Sequence, residues 1–95
     1  MDERTWNIRY RKAMYDCRDL IFEVNELSEH YWDVNESTQK TLDLLFELLS
    51  EFSNGLRKND YYDMGMIEFR IVFFKNEIKK LKKKVYEQIK NNNKR

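Results

Sequence analysis

The chain has 95 residues, a formal net charge of +1, 41% hydrophobic residues and 37% charged residues. This length allows one domain, and the absence of proline together with only two glycines excludes an all-β fold, which needs many tight turns. A single cysteine excludes an intrachain disulfide, and no apolar run approaches the roughly 20 residues that span a bilayer, so we expect a cytoplasmic protein without a membrane span.

The first predicted helix covers residues 3–31. An apolar stripe runs along it in alternating steps of four and three residues, which places its members on one helix face. The stripe comprises Trp6, Tyr10, Ala13, Cys17, Leu20, Val24, Leu27 and Tyr31. Cys17 lies on this stripe and is flanked by Asp16 and Asp19, with Arg18 between, rather than by the electropositive setting of a reactive thiol, so we expect it to be a buried core residue.

The second predicted helix covers residues 36–53, after three candidate N-cap residues, Asp33, Asn35 and Ser37. Its apolar residues form two neighbouring stripes, so the helix should contact neighbours on two sides. The first stripe is Leu42, Leu45, Phe46, Leu49 and Phe52, and the second is Leu44 and Leu48. We expect the helix to stop at Ser53-Asn54-Gly55, with Gly55 in the left-handed conformation.

The third predicted helix covers residues 60–90, with Asp60 as its N-cap and residues 91–95 as a frayed basic tail. Its main apolar stripe again follows steps of three and four: Met64, Ile67, Ile71, Phe74, Ile78, Leu81 and Val85. A second stripe, Tyr62, Met66, Phe69 and Phe73, covers only the first half of the helix. It predicts either a second buried side or an exposed protein-binding patch, since aromatic residues and Met are enriched in interface cores.

These elements predict an all-α, antiparallel three-helix bundle formed by residues 1–95 as one domain. Helix lengths of about 43, 27 and 46 Å leave two ends overhanging, one carrying Trp6 and Tyr10 and the other carrying Leu81, Val85 and Ile89. Bare apolar seams usually mark an interface, so we expect a homodimer, packed like a coiled coil, or a protein partner. The alternative is that a long helix breaks, at Gly65 for example, and folds back.

Charge is segregated along the sequence. Residues 16–51 carry a net charge of −8 and residues 75–95 a net charge of +7, so the two blocks could attract each other within or between subunits. The lysines Lys79, Lys80, Lys82, Lys83 and Lys84 could contact an anion or nucleic acid. Because Leu81 and Val85 interleave with them at core spacing, a solvated outer helix face is the competing interpretation.

Enzymatic signatures are absent from the sequence. The only histidine, His30, has no convincing set of metal-ligand or catalytic partners, and no glycine-rich phosphate loop is present. We therefore expect no catalytic, cofactor-binding or metal-binding residues. The predicted function is that of a small protein-binding regulator, adaptor or inhibitor, of phage, mobile-element or bacterial type, acting through Trp6, Tyr10, Tyr62, Met66, Phe69 and Phe73. The alternative is a nucleic-acid-binding protein that uses the Lys-rich helix.

Overall fold

Each of the helices begins directly after a polar side chain that caps its first turn. In the computed structural model, which describes residues 1–93, the α-helices are α1 (Glu3–Ser28), α2 (Glu36–Arg57) and α3 (Met64–Asn93). The carboxylate of Asp2 accepts from the amide of Thr5 at 2.7 Å, and the side chain of Asn35 accepts from the amide of Thr38 at 2.9 Å. Such caps satisfy amide groups that have no partner within the helix.

The three apolar stripes meet along the axis of an elongated bundle with extents of 58 × 18 × 16 Å. Every residue of the main α3 stripe is buried, and so is the α1 stripe from Tyr10 to Leu27. In α2 the core residues include Leu42, Leu45, Leu49 and Phe52. The predicted all-α three-helix bundle is therefore confirmed. The other apolar residues of the two predicted α2 stripes are exposed, so their predicted packing was wrong: Leu44, Phe46 and Leu48.

The connection between α1 and α2 is more structured than the sequence suggested. α1 ends at Ser28 instead of continuing to Tyr31, and a single turn of 3₁₀-helix follows at Tyr31–Asp33. The side-chain amide of Gln39 donates to the carbonyl of Tyr31 at 2.9 Å, which ties this turn to the start of α2. Of the three candidate N-caps, Asn35 is the one that caps α2.

The predicted end of helix 2 is wrong by four residues. Gly55 lies inside α2, and Asn59, with φ of 56°, is the residue that takes the left-handed conformation. The amides of Asn59 and Asp60 donate to the carbonyls of Leu56 and Gly55, which is the Schellman arrangement for ending a helix. Gly55 instead allows close contact, because a Cβ added there would lie 2.7 Å from the ring carbon Cζ of Tyr61.

The start of helix 3 is also displaced from the prediction. α3 begins at Met64, and the carboxylate of Asp63 accepts from the amide of Met66 at 3.2 Å, so Asp63 caps the helix instead of Asp60. Gly65 lies in the first turn of α3 and does not break the helix. The helix continues to Asn93, so residues 91–93 are helical, while the predicted tail residues Lys94 and Arg95 lie outside the described residues.

The expected overhanging ends are covered. The longer α2 reaches the N-terminal part of α1, where the hydroxyl of Tyr10 donates to the carbonyl of Leu56. At the other end, the side-chain amide of Gln88 donates to the hydroxyl of Thr38 at 2.8 Å, and Leu81 and Val85 are buried. The predicted overhang was therefore wrong, whereas the predicted homodimer does not depend on it alone and stays a prediction. Among the described residues, no helix combines the length and apolarity that a membrane crossing requires.

Candidate protein-binding surface

One face of α3 carries large apolar side chains that the bundle does not cover. We call this set, Tyr62, Met66, Phe69 and Phe73, the α3 aromatic face. The exposed fractions are 85% for Tyr62, 71% for Phe69 and 48% for Phe73, while Met66 is half-buried against the core. The structure therefore places the second predicted stripe on the surface rather than in a second buried layer.

A cluster of two packed rings and one arginine holds the loop before α3 in place. The guanidinium carbon of Arg70 lies 5.6 Å from the ring centre of Phe52 and 5.4 Å from that of Tyr61. The rings of Phe52 and Tyr61 are themselves 5.3 Å apart, and the Tyr61 ring lies against Gly55. Because Tyr62 follows Tyr61 directly, this cluster fixes the backbone that presents Tyr62 beside α3.

Val72 extends the apolar surface toward α1 and was not predicted from the sequence. It is 54% exposed and lines a groove of about 140 Å³ between α1 and α3. In this groove the guanidinium of Arg9 donates to both carboxylate oxygens of Glu68, with a distance of 2.8 Å from Nε to Oε2. The hydrogen bonds from Arg9 hold the pKa of Glu68 below its usual value of 4.5.

Trp6 and Tyr10, the other predicted binding residues, lie apart from the α3 aromatic face. Their rings stack at a centroid distance of 6.0 Å along α1, beside the C-terminal end of α2. Tyr10 is only 8% exposed, and desolvation raises the pKa of its hydroxyl. These two rings therefore belong to the packing of the bundle in this structure.

The acidic and basic blocks of the sequence face each other within one chain. Lys75, Lys79 and Lys82 of α3 line a groove of about 430 Å³ opposite acidic side chains of α1, and the Lys75 ammonium lies 3.7 Å from the Asp16 carboxylate. The other acidic residues of this groove are Asp19 and Glu23. The two charge blocks therefore attract each other within one chain, across the groove between α1 and α3.

The predicted anion-contact lysines are spread over a wide arc of α3. Lys79 and Lys82 line the groove with the α1 acids, whereas Lys80 pairs with Glu77 at 3.5 Å. At about 100° per residue, Lys79, Lys80, Lys83 and Lys84 fall within an arc of about 140°, and Lys82 lies about 60° beyond Lys79. Contact of several of these lysines with a phosphate backbone therefore stays an alternative prediction.

His30 and Cys17 lie in different settings, His30 half-buried beside Asp33 and Cys17 inside the core. His30 Nδ1 lies 3.8 Å from an Asp33 carboxylate oxygen, and its ring packs edge-on against Tyr86. Cys17 has no exposed surface, and desolvation raises the pKa of its thiol to about 11. The prediction that Cys17 is a buried core residue is confirmed.

Trp32 is an exposed aromatic residue that the sequence analysis did not select. It is 86% exposed in the 3₁₀ turn, with its ring 5.1 Å from that of Tyr31. Its position in the segment where the helical period breaks was the available signal. It lies at the opposite end of the bundle from Tyr62, about 40 Å away by the rise of α3.

No protein family model, curated protein or solved structure matches the chain. Its function is therefore inferred from the chemistry of its surface.

Proposed function

We propose that the protein is a non-enzymatic, cytoplasmic regulator, adaptor or inhibitor that docks the α3 aromatic face on a partner protein. The observation that supports this proposal is the exposure of Phe69 and Phe73 on a helix whose core stripe is already fully buried. An outer helix face carries polar side chains by default. Burying such a ring in an interface would contribute roughly 1.5–3 kcal/mol.

The composition of this face is also that of an interface. Tyr, Phe, Met and Arg are enriched where proteins bind one another, and Arg70 borders the face with its guanidinium already stacked on two rings. An aromatic side chain on a rigid helix loses little conformational entropy on binding, which favours α3 over a loop as a docking element.

The proposal can be tested by photo-cross-linking in the cells that make the protein. A photoreactive phenylalanine analogue replaces Phe69 in one variant and Lys83 in a control, which places it on the same outer side of α3 four turns further along. We expect a discrete protein adduct from position 69, none from position 83, and a weaker adduct when Phe73→Ala is added. Equal labelling from both positions, or no adduct at all, would contradict the proposal.

Two further experiments distinguish a partner protein from a second copy of the chain and from nucleic acid. Light scattering on the purified protein at two salt strengths shows whether the partner is a second copy, in which case Phe69→Asp should restore the monomer. Nucleic-acid binding through the α3 lysines would weaken by orders of magnitude between about 50 and 200 mM salt. The affinity of an apolar interface formed by the α3 aromatic face should change little over that range. Strong salt dependence would therefore favour nucleic-acid binding.

A further inference from the structure

The side of α1 that faces away from the bundle carries a second regular stripe. We call it the α1 outer seam, and it consists of Arg4, Ile8, Arg11, Tyr15, Arg18 and Phe22. Its steps are four and three residues in alternation, the same spacing as the buried stripe of α1. The exposed fractions are 62% for Ile8, 53% for Tyr15 and 63% for Phe22.

The helical spacing of the seam places it on the side of α1 opposite the core. Ile8, Tyr15 and Phe22 each stand two residues before a core residue, which places them about 200° from the buried stripe. Three large apolar side chains at seven-residue intervals on a solvent-facing helix have no role in packing the bundle. Their repetition sets this stripe apart from single exposed apolar residues, which are ordinary on protein surfaces.

The spacing of the seam suits a second helix. A seven-residue repeat keeps a seam in contact with a partner helix that wraps around it with left-handed twist, as in coiled coils. From Arg4 to Phe22 the seam is about 27 Å long, which is five helical turns. The guanidinium of Arg18 lies 5.2 Å from the ring centre of Tyr15, so these two members of the seam are in contact.

The charge of the seam indicates the chemistry of its partner. Within residues 1–92, Arg4, Arg11 and Arg18 form no ion pair with a carboxylate. They recur every seven residues, so acidic side chains at the same interval on a docked helix would meet all three. Nucleic acid fits less well, because Asp19 and Glu26 border the C-terminal half of the seam and would repel phosphates.

A second copy of the chain is also a poor occupant. If two α1 outer seams pair antiparallel about Tyr15, Arg11 of one copy meets Asp19 of the other. In the same arrangement, however, Arg18 meets Lys12 and Arg11. If they pair parallel, each arginine meets its own counterpart. Neither arrangement gives all three arginines an acidic partner, and both bring some like charges together, which is unfavourable in an interface.

We propose that the α1 outer seam docks an amphipathic helix of a partner protein, whose apolar residues are flanked by Glu or Asp at seven-residue intervals. This surface is on a different helix from the α3 aromatic face. The protein would then hold two partners at once and act as an adaptor.

The proposal is tested with two synthetic helical peptides of about 21 residues, or three heptads. Both carry Leu at the seam positions; one has Glu at the flanking positions and the other has Lys. Fluorescence anisotropy with the full-length protein should show the acidic peptide binding at least about 10-fold more tightly, since reversing a desolvated charge pair costs more than the 1.4 kcal/mol of one decade.

Variants assign the binding to the seam. Arg11→Glu should weaken the acidic peptide by at least about 10-fold, and Tyr15→Ala or Phe22→Ala by several-fold. These residues are exposed, so circular dichroism should show the variants folded like the original protein. Phe69→Ala is the matched control on α3 and should leave the affinity unchanged, so this test is independent of the one for the α3 aromatic face.

Four results of the binding experiments would overturn the inference, and a fifth comes from the solution mass. They are absence of binding by the acidic peptide, equal binding of the two peptides, unchanged affinity in the Tyr15 and Phe22 variants, and tighter binding of a single-stranded oligonucleotide at the same arginines. A protein mass twice that of the monomer, restored to the monomer by Tyr15→Asp, would assign the seam to a second copy and overturn it as well.

Discussion

Replacing Gly55 with alanine should destabilise the protein, although alanine is the better helix former. In an open helical site the change would stabilise by about 1 kcal/mol. Here the new Cβ would lie 2.7 Å from both Cζ and the hydroxyl oxygen of the Tyr61 ring. Overpacking of this kind costs about 1–3 kcal/mol, so the net effect of Gly55→Ala should be a loss of up to about 2 kcal/mol.

The sign should reverse once the ring is removed. In a Tyr61→Ala background, Gly55→Ala should stabilise by about 1 kcal/mol, because the three atoms nearest to the added methyl group all belong to the Tyr61 ring and are then gone. The coupling energy between the two substitutions should be about 1–3 kcal/mol. Tyr61→Ala alone should destabilise, since it removes the ring contact with Phe52 at 5.3 Å and the cation–π contact with Arg70 at 5.4 Å.

Urea unfolding followed by circular dichroism at 222 nm measures each of the four proteins, and the denaturant slopes should agree. Gly65→Ala is the matched control, because its Cβ would meet only a carboxylate oxygen of Asp63, at 3.3 Å. It should cost less than Gly55→Ala. If Gly55→Ala stabilises equally with and without the Tyr61 ring, the explanation of why a glycine occupies this helix position is wrong.

Three other perturbations probe the remaining contacts. Cys17 is fully buried and its thiol pKa is about 11, so at pH 8 it should react with a thiol reagent only as fast as the folded protein unfolds locally or globally. In denaturant the reaction should be rapid. Fast labelling of the native protein would contradict this prediction. The pKa of Glu68 is lowered in the folded protein, so the ion pair with Arg9 stabilises the fold above pH 4.5, and this stabilisation is lost as the pH falls through the folded-state pKa. The difference in melting temperature between the wild type and Glu68→Gln should therefore shrink between pH 6 and pH 3. A difference that stays constant over this range would refute the role of the ion pair. Gln88→Ala removes hydrogen bonds to the Thr38 hydroxyl at 2.8 Å and the Asn35 amide at 2.9 Å, and should cost about 1–3 kcal/mol in urea unfolding, whereas Lys83→Ala on the outer face should cost little.

The core was predictable because its signal repeats. Ile67, Ile71 and Ile78 of α3 stand at steps that no strand could accommodate on one face, and the buried side must follow from them. An error at any single position would have left the stripe recognisable. Both the fold class and nearly all the core residues follow from this redundancy.

Helix ends depend on single residues, and the helix boundaries predicted from the sequence were partly wrong. Gly55 and Asn59 both carry the chemistry of a helix stop, and the structure ends α2 with Asn59 in the left-handed conformation, while Gly55 lies within the helix against the Tyr61 ring. α1 is shorter by three residues and α2 longer by four than predicted, and four residues amount to about 6 Å of helix. That error was enough to turn Tyr10, a core residue, into a predicted overhang.

The surface was harder to predict because exposure is not encoded in spacing. The second stripe of α3 fits a buried side or an exposed one equally well, and only the packing of α2 determines that Phe69 lies outside. The α1 outer seam escaped notice for a different reason. Its apolar residues alternate with arginines, so each window of the sequence averages to a polar face, and the repeat shows only when both residue types are counted together.

Function and stability should separate on this molecule. The core stripes are complete without Tyr15, Phe22 or Phe69, so substituting these exposed side chains should change the unfolding free energy by no more than about 0.5 kcal/mol. Exposed rings do not stabilise the fold, and they increase the risk of aggregation. Binding a partner would cover these rings and remove that risk. A variant that folds with unchanged stability but no longer binds would therefore be direct evidence that these rings act in recognition.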